Sequence, residues 1–321
     1  MNQYDHIFKI QTEEEFQRIA LSTFHRQAVD CPPYKEYLSL IGVRHEEVKS
    51  IEEIPFLPIS LFKTHTIYCG EGEPEEVFTS SATTGMTFSR HPMRSLALYE
   101  EAFREAFRNF YGDQQKWSLY ALLPNYLRRK GSSLIYMTDK LIQDCGSGGF
   151  YLDDYEGLLR DMKQDPKPKI LLGVSYALWE LVEQYAPKLQ DTIVMETGGM
   201  KGYREEISKE AFHKILCDGF GVEHIHSEYG MAELTSQAYS KGENRFYCPK
   251  WLRVIARDIN DPFCLLENGN RGGLNIIDLA NQWSCAFIQT QDAGRVHKDG
   301  SFEVEGRIAH SDIRGCNLLV Q

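Results

Sequence analysis

Nowhere in this chain is there an uninterrupted apolar run of the roughly 18 residues that a membrane-spanning helix needs. The opening Met1-Asn2-Gln3-Tyr4-Asp5-His6 lacks the basic start, apolar stretch and small-residue cleavage site of a secretory signal, so a cytoplasmic location is the expectation. Positive charge is in deficit: 35 Lys and Arg stand against 46 Asp and Glu, a net charge of −11. That argues against the basic face by which a nucleic-acid-binding protein neutralises phosphates. The one basic cluster, Arg128-Arg129-Lys130, follows Pro124 and reads as a solvated loop. No C-x-x-C pair occurs among the eight cysteines, which rules out a zinc-ribbon spacing and a small disulfide framework. They read as reduced thiols, most of them buried. There is no low-complexity linker and no internal repeat, so residues 1–321 are expected to form one continuous large domain.

What is present has a clear order. Thr12 and Glu15 form a capping box, and Phe16, Ile19, Ala20 and Phe24 fall on one helical face until Cys31-Pro32-Pro33 stops the helix. Ile54-Pro55-Phe56-Leu57-Pro58-Ile59 is forced into extended backbone by its prolines and is excluded from a central strand. A second amphipathic helix spans about 96–110, with Leu96, Tyr99, Phe103, Phe107 and Phe110 as its core stripe. Apolar runs at 117–123, 169–174, 191–196 and 224–227 then alternate with helical periodicity at about 133–143, 175–185 and 204–217. Such alternation predicts an α/β core with a largely parallel sheet. After about residue 245 the pattern becomes short strands, at 251–257, 273–279 and 285–290, with a hairpin at Asp299-Gly300. The expected architecture is an α/β core with N-terminal helices over about 1–244 and a β-rich subdomain over about 245–321.

Three segments carry chemistry. Ser80-Ser81-Ala82-Thr83-Thr84-Gly85 is a hydroxyl-rich run closing on glycine, able to wrap a phosphate chain with backbone N–H and side-chain O–H groups. Glu228-Tyr229-Gly230-Met231-Ala232-Glu233 follows a strand, at the carboxyl end where α/β sheets bind ligands. Tyr229 offers a flat face to a base, and Glu233 an oxygen ligand to magnesium, which favours one or two carboxylates plus substrate phosphates. In Thr290-Gln291-Asp292-Ala293-Gly294-Arg295, Asp292 has the two oxygens to accept from both ribose hydroxyls, and Arg307, further on, suits a phosphate or ribose oxygen. Each segment alone also reads as an ordinary turn or hairpin. Their order along one chain is the specific signal.

Together they resemble the adenylate-forming superfamily of acyl-CoA synthetases, adenylation domains and firefly-type luciferases. Its phosphate loop has the form S-[SG]-T-T-G, its adenine and magnesium segment Y-G-x-[TS]-E, and its ribose segment T-G-D…R…D-G…G-R. Glu196-Thr197-Gly198-Gly199 matches the glycine-rich turn that lies beside adenine in this superfamily, where absent side chains allow close approach. The resemblance thus implies an ATP site made by Ser80, Ser81, Thr83, Thr84, Gly85, Gly198, Gly199, Glu228, Tyr229, Gly230, Asp292 and Arg295, with Glu233 holding Mg2+ and Glu233 and Arg307 acting in catalysis. The segment from Ile51 to Lys63 and the ending Ser311-Asp312-Ile313-Arg314-Gly315-Cys316 further resemble the LuxE-type acyl-protein synthetases, ligases of long-chain fatty acids. The phenylacetate–CoA ligases, which share E-Y-G-M-x-E, are next nearest.

These resemblances imply that a carboxylate, expected to be a fatty acid, attacks ATP to give acyl-AMP and pyrophosphate. A thiol then takes the acyl group. In LuxE-type enzymes a cysteine near the C-terminus carries it, which here points to Cys316 and to a reductase or acyl-carrier protein as partner. Transfer to CoA, as in the phenylacetate type, and a catalytically weak nucleotide- or acyl-binding subunit remain open. Two departures from the pattern, Ala82 and Ala232, motivate the last reading, and there are others. Ala82 replaces a loop glycine, Phe88 stands near the place of the loop lysine, Ala232 replaces a hydroxyl residue and Gln291 a glycine. The chain also ends shortly after Arg314-Gly315, where most of the superfamily begins a swinging C-terminal domain; the domain is expected to be lacking, as in LuxE-type proteins.

Overall fold

Thr12 caps the first long helix as its sequence demands. Its hydroxyl accepts from the Glu15 N–H and the Glu15 carboxylate accepts from the Thr12 N–H, opening helix Glu13–Asp30. In the computed structural model, residues 4–80, 87–124, 131–198 and 207–308 are described. Cys31 ends that helix, and Pro32 and Pro33 occupy the first positions of the next, Pro32–Leu40, where a missing N–H leaves no bond unmade. The prolines that stop one helix therefore start another. No helix among the described residues is long and apolar enough to cross a membrane.

The chain divides into two compact units, one of Met1–Glu73, Ser89–Pro92 and Lys250–Gln321, the other of Pro74–Phe88 and Met93–Pro249. The first is β-rich. Strands Leu252–Arg257, Arg271–Asp278, Phe287–Val296 and Phe302–Arg307 pair antiparallel in that order. Leu57–Pro58 adds only two parallel pairings, to Ile288 and Gln289, as expected of a proline-flanked segment. The turn at Gly300, with φ +81°, closes the predicted hairpin. The N-terminal helices, which the pattern alone attaches to the α/β core, group with this unit instead. Phe24 packs edge-on against Phe287 at 5.9 Å, Gln27 Nε2 donates to the Asn281 carbonyl at 2.8 Å, and the Ala286 N–H donates to Gln27 Oε1 at 2.8 Å. Helical periodicity showed which face of Glu13–Asp30 is apolar, but not which sheet would cover it.

The second unit is the α/β core. Its sheet runs in the order Phe246–Tyr247, Ala238–Ser240, Ile225–Tyr229, Thr192–Thr197, Lys169–Val174, Ser118–Leu122, Gly148–Tyr151. From Ile225–Tyr229 onward every pair is parallel, and the first two pairings are antiparallel. Strand Gly148–Tyr151 and helix Tyr155–Gln164 were not anticipated: an edge strand reading Gly-Gly-Phe-Tyr has neither an apolar run nor alternation. Helices Ser175–Tyr185 and Lys209–Phe220 pack on the sheet through Leu178, Leu181, Phe212, Leu216 and Phe220, all buried against Leu171, Val194 and Ile225. Each such side chain contributes about 1.5–3 kcal/mol relative to exposure. The parallel register brings Val174, Thr197 and Glu228 level at the carboxyl edge of the sheet, the edge where ligands bind in doubly wound folds.

Candidate functional site

At that edge two carboxylates come from adjacent strands. Glu196 and Ser227 are directly paired in register, as are Thr197 and Glu228. Glu196 is buried and fully engaged: Ser227 Oγ donates to Oε1 at 2.7 Å, Ser175 Oγ lies 2.9 Å from Oε2, and Lys209 Nζ is 3.1 Å from Oε1. His213 Nε2 stands farther off, at 3.6 Å. Ser175 also reaches the Gly198 carbonyl, tying the start of helix Ser175–Tyr185 to the turn that leaves the neighbouring strand. Gly198 has φ +74°, a conformation that favours glycine.

The same environment treats the two carboxyls differently. Burial works against ionisation of Glu196, but Lys209, with His213 and Ser227, holds its pKa down at about 2. Among the described residues no cation pairs with Glu228. Burial pushes its pKa up to about 7; the Thr197 hydroxyl, which donates to it, works against that rise, and the charge of Glu196 adds to it. Glu228, expected at the nucleotide, is placed in the interior: a Cβ on residue 230 would stand 2.4 Å from its Oε1, so Gly230 is where that carboxyl passes beneath the chain. Burial and the nearby Glu228 also raise the pKa of Tyr111, whose hydroxyl meets His226 Nδ1 at 3.1 Å.

Tyr229 ends its strand half-buried, its ring 5.7 Å from that of Phe246. Lys209 Nζ lies 4.6 Å over the Phe246 ring, so one ammonium pairs with Glu196 and backs the aromatic that touches Tyr229. Beyond Gly230 the chain makes a tight turn closed by the Leu234 N–H on the Met231 carbonyl at 3.1 Å, and Glu233 is in this turn, 6% exposed. Ala232 is buried beside it. Ser80 is half-buried at the end of strand Glu76–Thr79. Ser81, Thr83, Thr84, Gly85, Gly199 and Cys316 lie outside the described residues.

In the β-rich unit, register sets Asp292 opposite Arg307, with Arg307 Nε 3.9 Å from Asp292 Oδ1. Arg307 is largely exposed. Strand Phe287–Val296 runs longer than the predicted 285–290, so Asp292 sits within the ladder, not after it. Its N–H donates to Thr290 Oγ1 at 3.1 Å, and that hydroxyl donates to the Leu274 carbonyl at 2.6 Å. Arg295 donates to the Gly269 carbonyl at 2.6 Å and stands 3.8 Å from Glu305.

The sequence motifs give Glu196 no role of its own, and Ser175, Lys209 and Phe246 fall in none of them. The available signal was a charged residue inside an otherwise apolar strand, Ile193-Val194-Met195-Glu196, which is uncommon unless the charge is paired. Among the described residues no group of three or more His, Cys, Asp or Glu side chains could hold a metal. A lone carboxylate such as Glu233 would hold magnesium only together with substrate phosphates and water.

No family model matches the sequence, and no curated protein matches it. Solved structures do. 2-Hydroxyisobutyryl-CoA ligase in an open conformation with 2-HIB-AMP and CoA is similar with a TM-score of 0.71 and 11% identity, covering 93% of this chain and 75% of that one. The same ligase in its postadenylation state with 2-HIB-AMP gives 0.72 and 12%, over 92% and 68%. ATP-bound MatB from Rhodopseudomonas palustris gives 0.57 and 13%, over 74% and 49%; the chain spans about half the length of the MatB structures it matches. At these identities the likeness establishes the fold alone, the one shared with these ligase structures.

Proposed function

We propose that this chain activates a carboxylic acid by adenylation, consuming ATP and releasing pyrophosphate. One observation carries the reading. In a fold whose solved examples hold ATP or an acyl-AMP, the segment Tyr229 to Glu233 and the turn at Gly198 leave adjacent parallel strands at the sheet's carboxyl edge.

On this reading Tyr229 presents its face to the adenine, and the glycine-rich turn at Gly198 and Gly199 lets the base approach backbone closely. Asp292 accepts from the ribose hydroxyls, Arg295 lies along the same strand, and Arg307 pairs with a ribose or phosphate oxygen. Ser80, Ser81, Thr83, Thr84 and Gly85 wrap the phosphates. Glu228 acts from beneath Gly230, bracing the turn, and Glu196 with Lys209 fixes the neighbouring strand end. Glu233 supplies the carboxylate that holds Mg2+ against the phosphates. When bound, the ion neutralises charge that builds on the departing pyrophosphate. A carboxylate oxygen of the acid attacks the α-phosphorus, the bond to the β-phosphate oxygen breaks, and the mixed anhydride forms. Positioning and charge neutralisation are the chain's contribution to that step.

The acid we assign is a long-chain fatty acid and the acceptor a protein thiol, Cys316, with a reductase or acyl-carrier protein receiving the acyl group. The support is the likeness of the Ile51 to Lys63 segment and of Ser311 to Cys316 to acyl-protein synthetases. The test is ATP–pyrophosphate exchange across a panel of carboxylic acids, followed by denaturing electrophoresis with labelled acid and neutral hydroxylamine. Exchange strongest with long-chain acids, and a hydroxylamine-labile label lost in Cys316→Ser, are expected. Exchange with short or aromatic acids, and thioester formation only when CoA is added, would transfer the assignment to a CoA ligase.

A further inference from the structure

Behind Thr290 lies a buried guanidinium. Arg257 ends strand Leu252–Arg257 and is 3% exposed. Its Nη2 donates to the Thr290 carbonyl at 2.8 Å, while Nε and Nη1 have no hydrogen-bond partner among the described residues. Burial alone shifts its pKa, and shifts it down. A guanidinium nevertheless stays charged at any physiological pH. A buried cation with one carbonyl partner is a poor device for stability. It is well placed for something else.

The guanidinium occupies the space that a side chain on Gly273, its direct partner across the antiparallel ladder, would fill: a Cβ there would fall 1.4 Å from Nη1. Thr290 is thereby held at its carbonyl and at its hydroxyl. Arg257 takes its carbonyl, and its hydroxyl donates to the Leu274 carbonyl while accepting the Asp292 N–H. All of these residues belong to three neighbouring strands of one sheet.

We propose that Arg257 is a positioning residue for Asp292, fixing through Thr290 the backbone from which that carboxylate meets the ribose of ATP. The inference rests on the reading of Asp292 as the ribose anchor. It adds the residue that gives the anchor its geometry. Arg257 touches no ligand itself. Because a carboxylate that accepts from two hydroxyls must be aimed at both, loss of the brace should be felt as loss of ribose discrimination, and not merely as lower stability.

The experiment compares the KM for ATP with that for 2′-deoxy-ATP in pyrophosphate exchange, in the full chain and in Asp292→Ala, Arg257→Met, Arg257→Lys and Thr290→Val. Wild type should favour ATP, and Asp292→Ala should remove the preference. Arg257→Met should reduce it at least fivefold with kcat changed less than KM, and Arg257→Lys should restore part of it. Thr290→Val, which keeps the carbonyl that Arg257 binds and removes the hydroxyl, should act in the same direction; if Arg257→Met does not fold, Arg257→Lys gives the answer through a preference below that of wild type. Arg257→Met with the wild-type preference and only a lower melting temperature would overturn the inference while leaving Asp292 as the anchor. An unchanged preference in Asp292→Ala would overturn the ribose assignment and the inference with it.

Discussion

The strand-end cluster of the α/β unit and the hairpin pair of the β-rich unit both set a carboxylate beside a cation, and they differ in almost everything else. Glu196 is buried, has two hydroxyls and an ammonium on its oxygens, and carries a pKa held at about 2. Asp292 meets Arg307 at 3.9 Å, with the guanidinium largely in solvent. A buried, fully bonded carboxylate is part of the scaffold: removing either partner strands the other in a medium that solvates it poorly. A loose cross-strand pair contributes little to folding and is available to exchange its partner for a ligand. On the proposed reading, the contrast separates residues that hold a strand end in place from residues that would hold a substrate.

The largest expected effect bears on the substrate side. Glu233→Gln preserves volume and removes the charge that would hold magnesium, so pyrophosphate exchange should drop by about 100-fold or more, with the melting temperature without nucleotide nearly unchanged. Exchange at the wild-type rate would return Glu233 to the scaffold class. Next comes the scaffold itself. Glu196→Gln leaves Lys209 without its charge partner and should cost about 3 kcal/mol, read by urea unfolding at pH 7. The stability that Glu196 provides is complete above its unfolded pKa near 4.5 and is lost as pH falls towards 2, so the variant's deficit should shrink in acid.

Glu228 has the opposite sign. Its folded pKa is raised to about 7, so ionising it opposes folding: wild-type stability should fall as pH rises from about 4.5 to 7, then level off. Glu228→Gln removes that penalty and should gain about 2–3 kcal/mol over wild type at pH 8, with little gain at pH 4. A constant difference across that range would show that folding does not raise the Glu228 pKa. The smallest effect on stability is at the hairpin. Arg307→Ala should change the unfolding free energy by less than about 0.5 kcal/mol while weakening ATP binding about tenfold, measured by calorimetry. A large loss of stability with unchanged binding would erase the distinction between the two regions.

How much of this the sequence disclosed follows the range of the interactions. Local signals were readable: the Thr12–Glu15 capping box, the continuous apolar runs of the buried parallel strands, and the glycine turn at residue 300. Strand Gly148–Tyr151 was not, because a half-exposed edge strand is under little patterning pressure. The substrate-side candidates Tyr229, Glu233, Asp292 and Arg307 stood out because they fall in short, ordered motifs. The scaffold around Glu196 did not. Ser175, Lys209 and Ser227 come from separate elements and meet only through sheet register, and each alone looks like an ordinary polar residue. Arg257 was hidden for the same reason: at the end of a strand it reads as a surface charge, and only the missing side chain of Gly273 across the ladder makes room for it.

The central claim, that a carboxylate oxygen attacks the α-phosphorus of ATP, is tested most directly by following that oxygen. The protein is given ATP, magnesium and a long-chain acid whose carboxylate carries 18O, and the nucleotide product is weighed by mass spectrometry. Adenylation predicts AMP bearing one 18O atom, formed with unlabelled pyrophosphate. ADP with inorganic phosphate, or AMP free of label, would contradict it.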